Sequence, residues 1–264
     1  MQRPPASEPP LDVLRLRRLL ADGCLAREVI YRPQTGSTNN DALAAARGGA
    51  AEGALFVTDF QTRGRGTRGR TWRSPRNTSL LLSTILRPMQ ALKPVELTQI
   101  AALGLCNGLR ESTGLDVRIK WPNDAMVRDK KIGGVLVEPL SGPAIVAVIG
   151  IGANLNFAAS DIGLAEGSVT SVLGETGSPC DRELVIAAVV NALERSYRIL
   201  ENGGSLFEDW TALSAVIGRS VALRTEARTY VGEVSGFSAA GELVLDCEDG
   251  ARRRFSAGRL ELFR

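Results

Sequence analysis

Histidine is absent from the 264-residue chain. That removes the side chain most used as general base, proton shuttle and metal ligand, and with it the Ser-His-Asp and Cys-His nucleophilic schemes. Cysteine is sparse: Cys24, Cys106, Cys180 and Cys247 stand far apart with no CxxC pair, which argues against a zinc site and does not suggest a disulfide scaffold. No apolar run approaches the roughly 20 residues that cross a bilayer, since "AIVAVIGIGANL" is short and interrupted by glycine. The opening "MQRPPASEPP" lacks the basic segment, apolar run and cleavage pattern of a secretory signal, so a loose tail on a cytoplasmic protein without membrane contact is expected. Aromatic residues make up 5% of the chain, few for a base-stacking surface. The 32 basic and 29 acidic side chains nearly cancel, and a formal charge of +3 says little by itself about nucleic acid. An enzyme of this composition must work by positioning and electrostatics, through Lys, Arg, Asp, Asn and backbone amides.

What is present is 44% apolar residues, enough for a substantial core and a small second one. "LDVLRLRRLLADG" reads as a short amphipathic helix ended by glycine, and "REVIYRP" as a strand. Thr38 and Asp41 have the spacing of a capping box before an alanine-rich helix closed by Gly48 and Gly49. Strands are expected at "GALFVTDF" and "SLLLSTILRP", then a helix from Pro94 to about Arg110. "DVRIKWPNDAMV" reads as two strand pieces broken at Pro122, followed by "IGGVLVEP" and "AIVAVIGIGANL" in an antiparallel meander. A long helix starts near Asp181, and a shorter one at a second capping box, Ser205 to Glu208. Past about Ser214 the strands are short and punctuated by glycine, which predicts a five-stranded small barrel. The expected division is a tail and short helix at 1–26, a main domain at 27–213 and the barrel at 214–264. Without strict βαβ alternation the main domain reads as α+β: a mixed, largely antiparallel sheet with flanking helices.

"QTRGRGTRGRTW", from Gln61 to Trp72, packs four arginines and three glycines into a dozen residues. Closely spaced glycines let backbone amides approach a ligand and form an anion-cradling nest, and Arg65, Arg68 and Arg70 add forked donors for phosphate or carboxylate. It is neither a GxxxxGK[ST] loop nor a dinucleotide fingerprint. A solvated basic loop or a patch on RNA backbone fits the stretch taken alone; its placement between two apolar strand patterns favours a ligand loop. Trp72 offers a flat apolar surface beside it. In "KWPND" and "DKKIGGVLVE", Lys120 and Lys131 flank a proline-broken strand pair that presents Asn123 and Asp124. Two lysines, an acid and a glycine pair suggest phosphate with Mg²⁺. Asn154, in "GIGANLN", reads on its own as a turn former.

Taken in order, "GSTN", "QTRGRGTRGRTW", "KWPND", "KKIGGVLVE" and "GIGANLN", with the C-terminal "GELVLDCEDG", resemble the biotin protein ligases. These enzymes activate biotin with ATP and attach it to a carrier-protein lysine. The resemblance runs from about residue 28 to the end and is to the short form, without an N-terminal DNA-binding domain. It implies a class II synthetase-like biotin/lipoate ligase fold with an SH3-like C-terminal barrel. It places Ser37, Thr38 and Gln61 at the biotin head group, with Asn39 beside them. Gly64 and Arg65 would begin the loop over biotin and its adenylate, which continues through Gly66, Arg68 and Arg70. Trp72 would pack on adenine, and Lys131 would sit at the biotin carboxylate and α-phosphate. Lys120, Asn123, Asp124, Gly133, Gly134 and Asn154 fall in the ATP environment, with Asp124 as metal ligand. Lys131, Arg65 and Lys120 carry the chemistry. The family's loop usually reads GRGRxGR; here Thr67 takes the place of an arginine associated with retaining the intermediate, and Arg68 or Arg63 are the candidates to compensate. The implied partners are biotin, ATP with Mg²⁺ and a biotin carboxyl carrier protein, with no specific DNA. Dimerisation through an edge strand such as "AIVAVIG" stays open. A lipoate or octanoate ligase is the nearest rival, and a non-enzymatic nucleic-acid module using the basic loop and "ARRRF" the rival from another class.

Overall fold

The computed structural model describes residues 8–23, 25–89, 92–140, 145–163 and 168–263. The tail expected at the start falls mostly on residues 1–7, and Cys24 likewise lies outside the described residues. A seven-stranded sheet forms the centre: β1 (Glu28–Arg32), β2 (Ala54–Thr58), β3 (Ser79–Leu86), β4 (Val117–Lys120), β5 (Asp124–Val127), β6 (Lys130–Leu140) and β7 (Val146–Asn154), in the spatial order β1-β2-β3-β7-β6-β5-β4. Only β1 and β2 run parallel; β2 through β7 pair antiparallel, as expected of the α+β reading. β3 is buried at every position, so both faces of "SLLLSTIL" are covered, its Ser79, Ser83 and Thr84 included. β7 lies between β3 and β6. Residues 146–150 of "AIVAVIG" therefore belong to a central strand and offer no free edge for joining subunits.

Two cores divide over the faces of the sheet. On one, α3 (Pro94–Thr113) and α5 (Arg182–Glu201) pack against each other and the strands, with α1 (Val13–Leu19) docked on α5. The other face holds a smaller cluster in which Ala42, Leu43 and Ala46 of α2 (Thr38–Arg47) meet Phe56, Ile85 and Val148. α2 covers part of this face, and the rest is left for a cavity. A five-residue helix, α4 (Val172–Thr176), which the sequence reading lacked, turns the chain after β7. The N-terminal segment is fixed by a buried ion pair: Arg182 on Asp59, whose carboxylate also takes the Tyr31 hydroxyl and the Leu11 amide. No helix among the described residues is long and apolar enough to cross a membrane.

The C-terminal expectation needs correction. After α6 (Phe207–Ala212) come β8 (Ser220–Arg224), β9 (Thr229–Phe237), β10 (Leu243–Cys247), β11 (Arg252–Phe255) and β12 (Arg259–Leu262). The strand count of five is right, but the strands form an open sheet in the order β11-β10-β9-β8-β12, with no ladder between β11 and β12. Only residues 256–258 connect these two edges, so the sheet must curl strongly. Four Cα steps reach about 15 Å at most, whereas a flat sheet would separate its outer strands by about 19 Å. Closure would need a shared register between the end strands, and each has four residues. Alternation in the sequence reports strand count and facing, not whether the ends join. The Trp121 indole donates to the Gly241 carbonyl at 3.1 Å, tying this sheet to the main one.

Candidate active site

The start of α2 does not use the capping box read from the sequence. Ser37 is the N-cap residue and makes no side-chain cap bond, while the Asp41 carboxylate accepts from Thr35. The Thr38 amide instead donates to Gln61 Oε1 at 2.8 Å. Ser37, Thr38 and Asn39 are all buried and line a cavity of about 430 Å³. Beneath them, Ser83 Oγ lies 2.8 Å from Thr38 Oγ1 and donates to Asn39 Oδ1 at 2.6 Å. The Asn39 amide nitrogen donates to Glu138 Oε2 at 2.8 Å.

Proton counting gives this array a direction. A hydroxyl has one proton, and that of Ser83 goes to the Asn39 carbonyl, so the proton of Thr38 is left for Ser83 Oγ or for Gln61 Oε1, 3.3 Å away. Thr38 Oγ1 is left with lone pairs for a ligand N–H. Gln61 Oε1 is occupied by the Thr38 amide, which leaves Gln61 Nε2 as a donor. This end of the cavity therefore accepts and donates side by side, the complement of an amide or a urea.

The arginine and glycine stretch is folded as a small hairpin. Trp72 N donates to Gly64 O at 2.9 Å, Arg65 bridges Thr71, and Gly66 N donates to Arg70 O at 2.7 Å. The arginines do not share one fate. Arg65 forms an ion pair with Glu138 and a hydrogen bond to Asn40. Arg70 donates to the carbonyl and hydroxyl of Thr67, at 3.3 and 2.9 Å. Arg65, Gly66, Thr67 and Arg70 line the cavity. Arg68 has φ +57° at the tip of the hairpin, is exposed and lines no cavity wall. Gly64 belongs to an outer hollow on the hairpin itself.

Trp72 is held by what β7 lacks. A Cβ on Gly152 would stand 2.8 Å from the indole, and one on Gly150 would stand 1.9 Å from Asn39 Oδ1. The two glycines of "GIGAN" make room for the indole and for Asn39. The indole nitrogen is buried without a protein partner, and Lys131 Nζ lies 5.8 Å from the ring centroid.

Lys131 owes its place to an irregularity between β5 and β6. Ala125 faces Gly133 and Met126 faces Lys131, so Ile132 is an extra residue, a bulge of the kind that re-aims side chains near sites. The Lys131 backbone is freed to bond Ser168 and Thr170, and its ammonium meets Asp124 Oδ1 at 2.5 Å. Asn154, also on the cavity wall, donates to the Thr170 carbonyl and holds the same segment. Asn123 and Gly134 line the cavity, although the Asn123 amide is engaged with the Val135 carbonyl. Asp124 reaches the cavity through Lys131. Lys120 is opposite Asp124 in the β4–β5 ladder and off the wall; burial pushes its pKa down, as do Lys131 and Arg259, against Asp124 and Glu261. Gly133 faces the core, where a Cβ would meet the Gly152 carbonyl at 2.9 Å. Sequence reasoning assigned no part to Ser83, Glu138, Asn40, Gly150 or Gly152; Glu138 and both glycines lay inside quoted motifs, but polar partners across strands leave no periodic signal.

The cavity thus joins a urea-matching end, a cationic hairpin, an indole and a lysine–carboxylate pair, an arrangement suited to binding an acid and a nucleotide together. Residues 32–156 match the biotin/lipoate A/B protein ligase family, and residues 216–262 the biotin protein ligase C-terminal domain. The bifunctional ligase/repressor BirA of Bacillus subtilis is 33% identical over 239 residues, 88% of this chain and 74% of its own. The biotin--[acetyl-CoA-carboxylase] ligase of Paracoccus denitrificans is 36% identical over 222 residues, 80% of this chain and 91% of that one. Among solved structures, the Aquifex aeolicus biotin protein ligase in complex with biotin and ATP superposes with a TM-score of 0.76 at 26% identity, covering 90% of this chain and 99% of the other. The chain belongs to the biotin protein ligase family.

Proposed function

We propose that the cavity binds biotin with its ureido ring at Thr38 and Gln61 and its carboxylate toward Lys131, beside an ATP whose adenine packs on Trp72. The reaction is ATP-dependent activation of biotin to biotinyl-5'-AMP, followed by transfer of biotin to a lysine of a biotin carboxyl carrier protein. In the first step a biotin carboxylate oxygen attacks the α-phosphorus and the bond to pyrophosphate breaks. In the second, the carrier amine attacks the acyl carbon and AMP departs. Neither step needs a protein nucleophile or a strong base, so a chain without histidine is equipped for both; the task is to align two anions and neutralise the charge that moves. Lys131 and the hairpin arginines supply that charge. Lys120 acts from just outside the wall by its field.

Magnesium would arrive with the nucleotide. Asp124, paired with Lys131 beside the cavity, would hold it, and among the described residues no group of three or more His, Cys, Asp or Glu could hold a metal by itself. One carboxylate plus phosphate oxygens suits Mg²⁺, which keeps several waters and seldom sits in an all-protein cage. When bound, the ion would neutralise the departing pyrophosphate.

The observation that supports this reading most is the acceptor and donor at Thr38 and Gln61 in one cavity with the Lys131–Asp124 pair. A dithiolane or plain acyl chain offers neither N–H nor carbonyl to that end, so lipoate and octanoate leave it unsatisfied. Biotin-dependent exchange of labelled pyrophosphate into ATP by the purified chain, absent with lipoate or octanoate, is the expected result. Exchange supported equally by the other acids would overturn the assignment.

A further inference from the structure

We propose that Glu138 is a positioning residue that couples closure of the arginine hairpin to recognition at the opposite end of the cavity. It lines no cavity wall, yet its two oxygens hold different parts of the site. Oε1 pairs with Arg65 of the hairpin, and Oε2 takes the Asn39 amide. From Asn39 the chain of hydrogen bonds passes through Ser83 to Thr38 and Gln61. Glu138 therefore contacts both the hairpin arginine and the array that sets the ligand-facing polarity.

Each contact has its own consequence. The glutamate is a fixed anion in reach of Arg65, so the hairpin is held down before any ligand anion arrives. Arg65 has a second tie to Asn40, which is exposed and makes none of the bonds of the array. A carboxylate can only accept, as can the Leu136 carbonyl 3.3 Å from the same nitrogen, so Asn39 turns its NH₂ toward Glu138 and Leu136 and its carbonyl toward Ser83. That orientation is what leaves Thr38 Oγ1 an acceptor. A glutamine at 138 would remove the closer and charged of the two acceptors on that NH₂, leaving the Leu136 carbonyl at 3.3 Å, and so weaken the direction of the whole chain.

The inference rests on the biotin reading for one of its readouts and is independent of it for the other. Trypsin has sites at Arg63, Arg65, Arg68 and Arg70 in the hairpin, and cutting there can be followed on the ligand-free protein. Glu138→Gln should raise the cutting rate about threefold to tenfold and raise KM for biotin in pyrophosphate exchange by about tenfold, with kcat changed far less. Asn40→Ala should raise cutting with the smaller effect on KM. Ser83→Ala should raise KM and leave cutting unaltered. A merely structural glutamate would lower Tm and slow kcat without this split. The coupling is overturned if Glu138→Gln leaves cutting at the wild-type rate, or raises cutting while KM for biotin is unmoved. Should that variant not fold, Glu138→Asp, which withdraws the same charge from both partners, is expected to show both effects in weaker form, and either effect alone would count against the proposal. Absence of biotin-dependent exchange in the wild type, with the cutting pattern as stated, would instead overturn the biotin reading and leave the latch standing.

Discussion

Replacing Gly152 by alanine should damage nucleotide binding without damaging the strand that carries it. Gly152 sits in β7 with no positive φ, so the backbone makes no demand for glycine, and alanine would ordinarily be an improvement in a strand. The demand comes from across the sheet: the new methyl would lie 2.8 and 2.9 Å from two carbons of the Trp72 indole. Carbon atoms in contact prefer about 3.5–4.0 Å, so the indole must withdraw by about 0.8 Å. It cannot do so alone, because the Trp72 amide is bonded to Gly64 and the hairpin follows. Overpacking of this size costs about 1–3 kcal/mol, which taken from binding is about 5- to 150-fold in affinity for ATP. Titration by tryptophan fluorescence measures it, with Trp72→Phe identifying the signal of Trp72 against the buried Trp121 and Trp210. Tm should move by only a few degrees. If Gly152→Ala binds ATP as the wild type does and forms adenylate at full rate, then Trp72 is not the nucleotide platform and the role assigned to it is wrong.

Lys131→Ala removes an aimed cation and leaves Asp124 unpaired beside the cavity; adenylate formation measured by pyrophosphate exchange should fall about a hundredfold, worth about 3 kcal/mol at the transition state, with an unchanged circular dichroism spectrum. Burial lowers the Lys120 pKa beneath its ordinary 10.5, so kcat/KM for ATP should decline on the alkaline side at a pH below 10.5, and Lys120→Arg should hold its value there. The same shift implies that stability rises with pH between the lowered pKa and 10.5, because the unfolded chain binds the proton that the folded one releases. Breaking the buried pair through Asp59→Ala strands Arg182 and frees the segment before α1; unfolding should cost about 3–5 kcal/mol less, a Tm drop of roughly 6–20 °C by calorimetry. Thr67→Ala releases Arg70 from the hydroxyl that anchors it, and single-turnover measurements should show severalfold faster loss of biotinyl-5'-AMP.

The strands were legible where burial writes a pattern. β3 and β7 read as apolar runs because both faces are covered, and the long helix after Asp181 begins at the residue whose carboxylate caps it. The barrel was not legible, because alternation in β8 through β12 says which way side chains face and nothing about whether the first and last strands meet. Both capping boxes failed for a physical reason: the Thr38 amide has a better acceptor in Gln61, and Ser205 caps from outside α6 by bonding the Phe207 amide. Most of the cavity lining was legible through its motifs, yet five candidates, Gly64, Arg68, Lys120, Asp124 and Gly133, stand off the wall. Gly133 is glycine for packing, Gly64 faces an outer hollow, Lys120 lies opposite Asp124 in the β4–β5 ladder, Asp124 meets the cavity through Lys131, and Arg68 is turned outward by its backbone. A spacing rule treats every arginine in the hairpin alike, whereas the fold assigns them different partners.

That sorting of the arginines explains how a histidine-free site can hold dense positive charge before a ligand arrives. Arg63 lies along Gly36, its amide bonded to the Gly36 carbonyl, and Arg65 is neutralised by Glu138. Arg68 faces solvent, where water screens it. Arg70 is the guanidinium on the cavity wall whose ties are to neutral oxygens, both from Thr67. A carbonyl and a hydroxyl orient a cation without cancelling its charge, so Arg70 keeps its full attraction for a phosphate while its geometry is set in advance. Thr67, which stands where the resembled loop carries arginine, is thus the residue that orients Arg70. Of the arginines in and just after the hairpin, Arg65, Arg70 and Arg73 line the cavity, whereas Arg63 and Arg68 do not.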